Sequence, residues 1–191
     1  KPLDDFEAVT AQGLNGAVYA LLALNADRSD IDGELEQKYL TYIVQQEKPS
    51  GGFSLDDSSD TADVDLTAMT LQCLEPYATE EEISAIIDRG VEFLADAQAE
   101  DGGYEAYGDK SSESVSQVIL ALNTYGIDCN KDARFQKKEK GLYDNLMRRF
   151  GKPQPAVGFA LYLGGLGRAF AEKSDYDVDT LLLYDAGQSP A

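Results

Sequence analysis

Gly51-Gly52-Phe53, followed by the acidic segment Asp60-Thr61-Ala62-Asp63-Val64-Asp65, is the stretch that decides the fold, because its pattern occurs twice. Gly102-Gly103-Tyr104 repeats the glycine–aromatic turn 51 residues later. In each copy an amphipathic segment precedes the turn, and a polar loop and a more apolar segment follow it. A repeat of this length is one supersecondary unit that buries its apolar face only against neighbouring units. Two glycines permit a positive φ after a helix end, and we expect Gly52 and Gly103 to adopt one.

All the strong apolar patterns of the chain have the spacing of α-helices, so we predict an all-α fold. Segments that are apolar almost all round indicate inner helices, and segments with a single apolar face indicate outer helices. Thr79 and Glu82 form a capping box at the start of one outer helix, and Ser111 or Ser112 caps an inner helix. The predicted inner helices cover about 12–24, 63–75, 111–126 and 156–172, and the outer helices cover about 34–46, 79–101 and 137–150.

These helices, about seven in number, alternate between inner and outer positions and predict a curved array of helical hairpins. A closed double ring of hairpins needs about six of them, and at about 50 residues per hairpin this chain holds three to four. We therefore expect an incomplete α/α toroid in residues 1–173, followed by an irregular tail in residues 174–191.

The composition restricts the classes of function. The chain has 191 residues, with 16 Lys and Arg against 35 Asp and Glu, which gives a formal net charge of −19. This charge repels phosphate backbones and anionic membrane surfaces, so we expect no nucleic-acid partner. The sequence has no His, the commonest general base near neutral pH and the commonest zinc ligand, and we predict no metal site. The two cysteines, Cys73 and Cys129, form either one bridge or two separate buried thiols.

The start of the chain and its most apolar stretch bear on location. The chain begins Lys1-Pro2-Leu3 without Met, which predicts a processed form or an excised fragment. The most apolar stretch, 156–167, is 12 residues long and ends at Arg168. It is too short to cross a bilayer and is typical of a buried helix, so we predict no membrane span.

A known repeat motif resembles part of this sequence. Arg89-Gly90-x-x-Phe93-Leu94-x-x-x-Gln98-x-x-x-Gly102-x-Tyr104 is similar to the repeat of squalene and oxidosqualene cyclases, with Tyr104 where that motif has Trp. The segments 8–16 and 51–69 more closely resemble toroid domains of secreted or surface-displayed Gram-positive proteins, which are similar to the helical domain of intrinsic factor and transcobalamin. The resemblance covers about residues 4–140. It implies an α/α toroid, an extracellular or cell-surface location, and a possible corrinoid-like ligand, although the residues themselves predict no cofactor.

The segment Asp63-Val64-Asp65-Leu66-Thr67-Ala68 resembles the Asp-x-Asp-Asp-Thr-Ala motif of class II terpene cyclases. Asp65 matches the acid that protonates the substrate alkene, and Asp63 is the other aspartate of the match. Leu66 replaces the following aspartate, and the chain has no Trp to face a carbocation. The alternative is that Asp60, Asp63 and Asp65 lie at a helix N-terminus, where carboxylates cap amide groups and meet the positive end of the helix dipole.

Three polar residues stand at equivalent positions of the predicted inner helices. Asn15, Asp65 and Glu113 each lie nine residues before the leucine that ends an apolar run. They would face the rim of one concavity, where a ligand site is common; the alternative is three independent helix starts. The full predicted ligand-binding set is Gln12, Asn15, Asp65, Tyr104, Tyr107, Glu113 and Gln117.

We therefore predict a non-catalytic binding module of an extracellular bacterial protein, which takes a small molecule or a partner protein domain at the concave rim. One alternative is a terpene-cyclase-like enzyme that uses Asp65 as general acid, and a second is a structural spacer domain. The shape of the concavity separates these three. A deep aromatic cavity favours the cyclase, a shallow polar rim favours binding, and a filled centre favours the spacer.

Overall fold

The computed structural model describes residues 2–26, 32–55, 59–106, 108–137, 141–149 and 151. Tyr107, the predicted inner helix 156–172 and the tail 174–191 lie outside these residues. The described part of the chain is mostly helical, as the apolar spacing predicts. Its helices are α1 (Phe6–Thr10), α2 (Leu14–Ala26), α3 (Gly33–Val44), α4 (Val64–Leu74), α5 (Glu81–Asp96), α6 (Ser112–Thr124) and α7 (Leu142–Arg149).

The remaining regular structure is short. Single 3-10 turns cover Pro2–Asp4, Glu75–Tyr77 and Ala133–Phe135. Two strands, β1 (Tyr104–Ala106) and β2 (Asp109–Ser111), form an antiparallel hairpin in which Tyr104 pairs with Ser111. None of the described helices is long and apolar enough to cross a membrane.

The predicted inner helices pack side by side in chain order, because α2 contacts α4 and α4 contacts α6. Each is covered by the helix that follows it, α3 on α2, α5 on α4 and α7 on α6. Contacts at both ends show that α4 and α6 run in the same direction. Asp65 lies beside Ser114 where the two helices begin, and the Tyr125 hydroxyl donates to the carbonyl of Leu71 where they end. The helix pairs that begin with α4 and with α6 are therefore stacked in the same orientation.

The glycine–aromatic turn serves to bring α5 close to the start of α4. Phe53 is fully buried, and the positive φ lies at Gly51 and Gly102, the first glycine of each pair. The expectation for Gly52 and Gly103 was therefore wrong. Gly52 is required for close packing, since a Cβ there would lie 2.7 Å from Ala62 Cβ and 2.8 Å from both Phe93 Cδ1 and Thr67 Oγ1.

The helix caps are only partly as predicted. Ser111 caps α6, because its Oγ accepts the backbone N–H of Ser114 at 3.0 Å. The capping box at Thr79 is wrong. Helix α5 begins one residue later than the box requires, and in the described structure its N-cap Glu80 makes no side-chain capping bond. Glu81 and Glu82 in the first turn instead face the positive end of the helix dipole.

Of the two alternatives for the cysteines, the structure selects separate thiols. Cys73 and Cys129 are both free and fully buried. Burial raises the pKa of each, that of Cys129 to about 12, so neither is a thiolate near neutral pH.

Candidate functional site

At the start of α4, Asp63 and Thr67 make contacts that hold the fold, and Asp65 faces the neighbouring helix α6. Asp63 is the N-cap of α4, and its Oδ1 accepts the backbone N–H of Leu66 at 2.7 Å. Thr67 fastens the glycine–aromatic turn, because its Oγ1 accepts the N–H of Phe53 at 2.9 Å and donates to the carbonyl of Asp63 at 2.6 Å. These contacts support the helix-capping interpretation for Asp63.

Asp65 is half-buried in the first turn of α4, where this helix meets α6. Its pKa is raised, first by burial, and further by the carboxylates of Asp63 and Glu113. The hydroxyl of Ser114 acts in the opposite direction on this pKa, but the two groups do not reach the geometry of a regular hydrogen bond. Asp65 Oδ1 and Ser114 Oγ are both buried without a hydrogen-bond partner among the described residues.

Glu113 and Gln117 border the same junction on the side of α6. Glu113 is exposed, and its carboxylate accepts from the Ser112 hydroxyl at 3.1 Å. Gln117, one turn further along, accepts a hydrogen bond from Gln72 of α4 at 3.3 Å. The structure thus brings three predicted residues, Asp65, Glu113 and Gln117, to the contact between α4 and α6.

Gln12 and Asn15 line a separate groove of about 350 Å³ at the start of α2. Gln12 is exposed in the turn before the helix, and Asn15 is half-buried in its first turn. The hydrophobic residues Leu3, Val9 and Tyr19 complete most of its wall. A wider open groove of about 920 Å³ runs along α3, and none of the predicted site residues lines it.

Tyr104 belongs to the core. It is 0% exposed, and its hydroxyl donates to the carbonyl of Leu94 at 2.8 Å, so neither its ring nor its hydroxyl is available at a rim. The repeat could have predicted this, because Tyr104 is the counterpart of Phe53, which is also fully buried. Tyr107 lies outside the described residues.

Further residues of α2, α4 and α6 were not predicted from the sequence, although they share a helical face with Asn15, Asp65 and Glu113. Positions four and seven residues after Asn15, Asp65 and Glu113 follow one helical face, and every one of them is half-buried or exposed. Tyr19 is 56% and Leu120 37% exposed, so this face of α2 and of α6 presents large side chains to solvent. We call this face the inner stripe; it comprises Asn15, Tyr19, Leu22, Asp65, Met69, Gln72, Glu113, Gln117 and Leu120.

The chemistry of these side chains is that of hydrogen bonding and charge. Across the described ranges, no group of three His, Cys, Asp or Glu residues has an arrangement suited to a metal ion. On α4 and α6 an acidic residue lies at the helix start, and on α2 the corresponding residue is the neutral Asn15. Apolar and amide side chains follow further along each helix.

Comparison with known proteins assigns no family. No protein-family model matches the chain, and no curated protein is significantly similar to it. The resemblance to the toroid superfamily thus stays a prediction made from the residues themselves.

Proposed function

We propose that this chain is a non-catalytic binding module, an incomplete α/α toroid that takes a small molecule or a partner protein domain on the concave side of its inner helices. The parent is an extracellular or cell-surface bacterial protein, as the sequence resemblance implies. The inner stripe is the observation that carries the proposal. Sites for small molecules combine an apolar lining with a few polar groups that fix orientation, and the stripe has both.

Two ion pairs connect successive helix pairs of the array on which this proposal depends. Arg89 pairs with Glu47 at 2.6 Å, and Arg134 pairs with Glu92 at 2.9 Å. In both cases the arginine reaches a glutamate 42 residues earlier in the chain. Exposed pairs of this kind contribute little stability. Each pair nevertheless links one helix pair to the next: Arg89 of α5 reaches the turn after α3, and Arg134 in the 3-10 turn after α6 reaches the middle of α5.

The absence of Trp from the sequence allows a direct test. Single-tryptophan variants Tyr19→Trp and Leu120→Trp place a fluorescent reporter on the inner stripe, and Asp88→Trp places one on the exposed side of α5. We would titrate each variant with a corrinoid, as the resemblance suggests, and with a library of small amphiphilic molecules. A ligand of the inner stripe changes the emission of the first two reporters and leaves Asp88→Trp unchanged. Responses confined to Asp88→Trp, or none from any reporter, would count against the proposal.

The cyclase alternative keeps one supporting observation. A proton donor must hold its proton near the working pH, and the raised pKa of Asp65 acts in that direction. Asp63 is occupied as a helix cap, and Tyr104 is buried in the core, so neither assists a carbocation. Incubation with squalene and shorter polyprenyl substrates, with product analysis by mass spectrometry, distinguishes the two functions. A cyclised product that disappears in the Asp65→Asn variant would establish the enzyme.

A further inference from the structure

The junction between α4 and α6 contains buried polar atoms that the fold does not use. Ser114 is 0% exposed and faces Asp65, yet within the described part of the chain its Oγ has no hydrogen-bond partner. The same holds for Asp65 Oδ1. Buried polar groups are nearly always paired, and an unpaired one costs free energy. We call Asp63, Asp65, Glu113 and Ser114 together the acid junction.

The charge around these atoms has one sign. The charged groups that shift the pKa of Asp65 are Asp63 at the start of α4 and Glu113 on α6, and both raise it. Two further carboxylates therefore act on Asp65, which lies beside the buried Ser114 hydroxyl, and among the described residues no cation is one of the groups that shift the pKa of Asp65.

A ligand that fits must supply positive charge and hydrogen-bond donors together. A primary ammonium group has three donors, enough for Asp65 Oδ1, Ser114 Oγ and one further carboxylate oxygen. A metal ion fits less well, because the described carboxylates do not form a set of three suited to one. A water molecule would pair the buried atoms but would leave the repulsion between the carboxylates in place.

The surroundings of the acid junction also indicate what the ammonium group is attached to. Met69 lies one turn after Asp65 on α4, and Leu120 lies two turns after Glu113 on α6, both on the inner stripe. At 1.5 Å of rise per residue, two turns correspond to about 10 Å of surface. An extended alkyl chain of several carbons would follow this surface from the junction.

We propose that the acid junction binds the primary ammonium group of an alkylamine, either a free small molecule or a lysine side chain of a partner protein. This assignment rests on the proposed binding function, since the junction is the polar edge of the inner stripe. Charge-assisted hydrogen bonds to Asp65 and Ser114 hold the ammonium group, and the methylene groups contact Met69 and Leu120.

The test is calorimetric titration of the full chain with n-hexylamine, with 1-hexanol as the neutral probe of equal chain length. We expect hexylamine to bind at least about tenfold more tightly than hexanol. Asp65→Asn should weaken hexylamine binding by at least about tenfold, and Ser114→Ala by a smaller factor. Asp88→Asn, which removes the same charge from the exposed face of α5, should change it by less than about twofold. Circular dichroism verifies that each variant is folded.

Further measurements distinguish a free amine from a lysine of a partner protein. They also distinguish a failure of the ammonium site from a failure of the proposed binding function. N-acetyl-lysine methylamide binding as tightly as hexylamine indicates a lysine of a partner, and weaker binding indicates a free amine. Equal losses in Asp65→Asn and Asp88→Asn, or equal affinities for hexylamine and hexanol, would overturn the ammonium site. If hexylamine does not bind but the Tyr19→Trp reporter responds to another compound, this inference fails and the binding function stands. If no compound affects any reporter, both fail.

Discussion

Replacing Gly52 by alanine tests whether the glycine–aromatic turn depends on close packing. Gly52 does not have a positive φ, so alanine is compatible with its backbone. The added Cβ would lie 2.7 Å from Ala62 Cβ and 2.8 Å from Phe93 Cδ1 and from Thr67 Oγ1. Carbon atoms in contact are normally about 3.5–4.0 Å apart. Three neighbours from different parts of the chain would therefore have to move together.

The loss of stability in Gly52→Ala depends on how freely Ala62, Thr67 and Phe93 can move. Thr67 is held by its hydrogen bond to the N–H of Phe53, and the Cβ of Ala62 can shift only with its backbone. Only the ring of Phe93, which is half-buried, has some freedom to turn. We expect a loss of about 2 kcal/mol in the free energy of unfolding, within the range of about 1–3 kcal/mol for overpacked sites. For a chain of this size the melting temperature falls by about 4–8 °C.

Two other glycines supply matched controls. Gly126 has φ +69°, and among the described residues no atom lies within 4 Å of a Cβ placed there, so Gly126→Ala tests backbone strain alone. It should cost about 1 kcal/mol or slightly less. Gly33, the first residue of α3, does not have a positive φ, and among the described residues no atom lies within 4 Å of a Cβ placed there. Gly33→Ala should therefore be neutral or stabilising by up to about 1 kcal/mol. Urea denaturation at equal protein concentration measures all three. The packing account is refuted if Gly52→Ala lies within about 0.5 kcal/mol of Gly33→Ala.

Three further predictions follow from the structure. Thr67→Val removes the acceptor of a buried N–H and should destabilise by about 1–3 kcal/mol in urea denaturation, whereas Thr70→Val, in the same helix and without a hydrogen-bond partner among the described residues, should be neutral or stabilising. Cys73 and Cys129 should resist Ellman's reagent in the native protein and react fully in urea, and rapid labelling of either thiol under native conditions would contradict their burial. Because the pKa of Asp65 is raised in the folded state, its contribution to stability is present at low pH and lost as the pH rises through that pKa. Asp65→Asn should therefore melt at a higher temperature than the wild type at pH 7, and the difference should shrink as the pH falls toward 3.8, the ordinary pKa of the residue.

The helices could be predicted from the sequence because their signals are local. Apolar spacing located α2 to α6 within a few residues, and a serine at the start of α6 was correctly identified as its cap. The positive φ was assigned to the wrong glycine of each pair, because a Gly-Gly sequence does not show which residue ends the helix and which faces a neighbour. Only the approach of Phe93 and Thr67 to Gly52, from segments distant in sequence, distinguishes the two roles.

The candidate site was less predictable because one sequence motif combines two physical roles. Asp63 and Asp65 are two residues apart and chemically identical, and both lie at the start of the same helix. Asp63 turns back to cap that helix, a role that the local sequence can indicate. Asp65 instead faces Ser114, a residue 49 positions later, and its raised pKa arises from burial at that contact and from Glu113 on the same neighbouring helix. A helix-end carboxylate is expected to be stabilised by the helix dipole, and the pairing of α4 with α6 reverses that expectation for Asp65. Asp65, for which we propose a ligand, therefore has an environment that depends on the packing of two repeats.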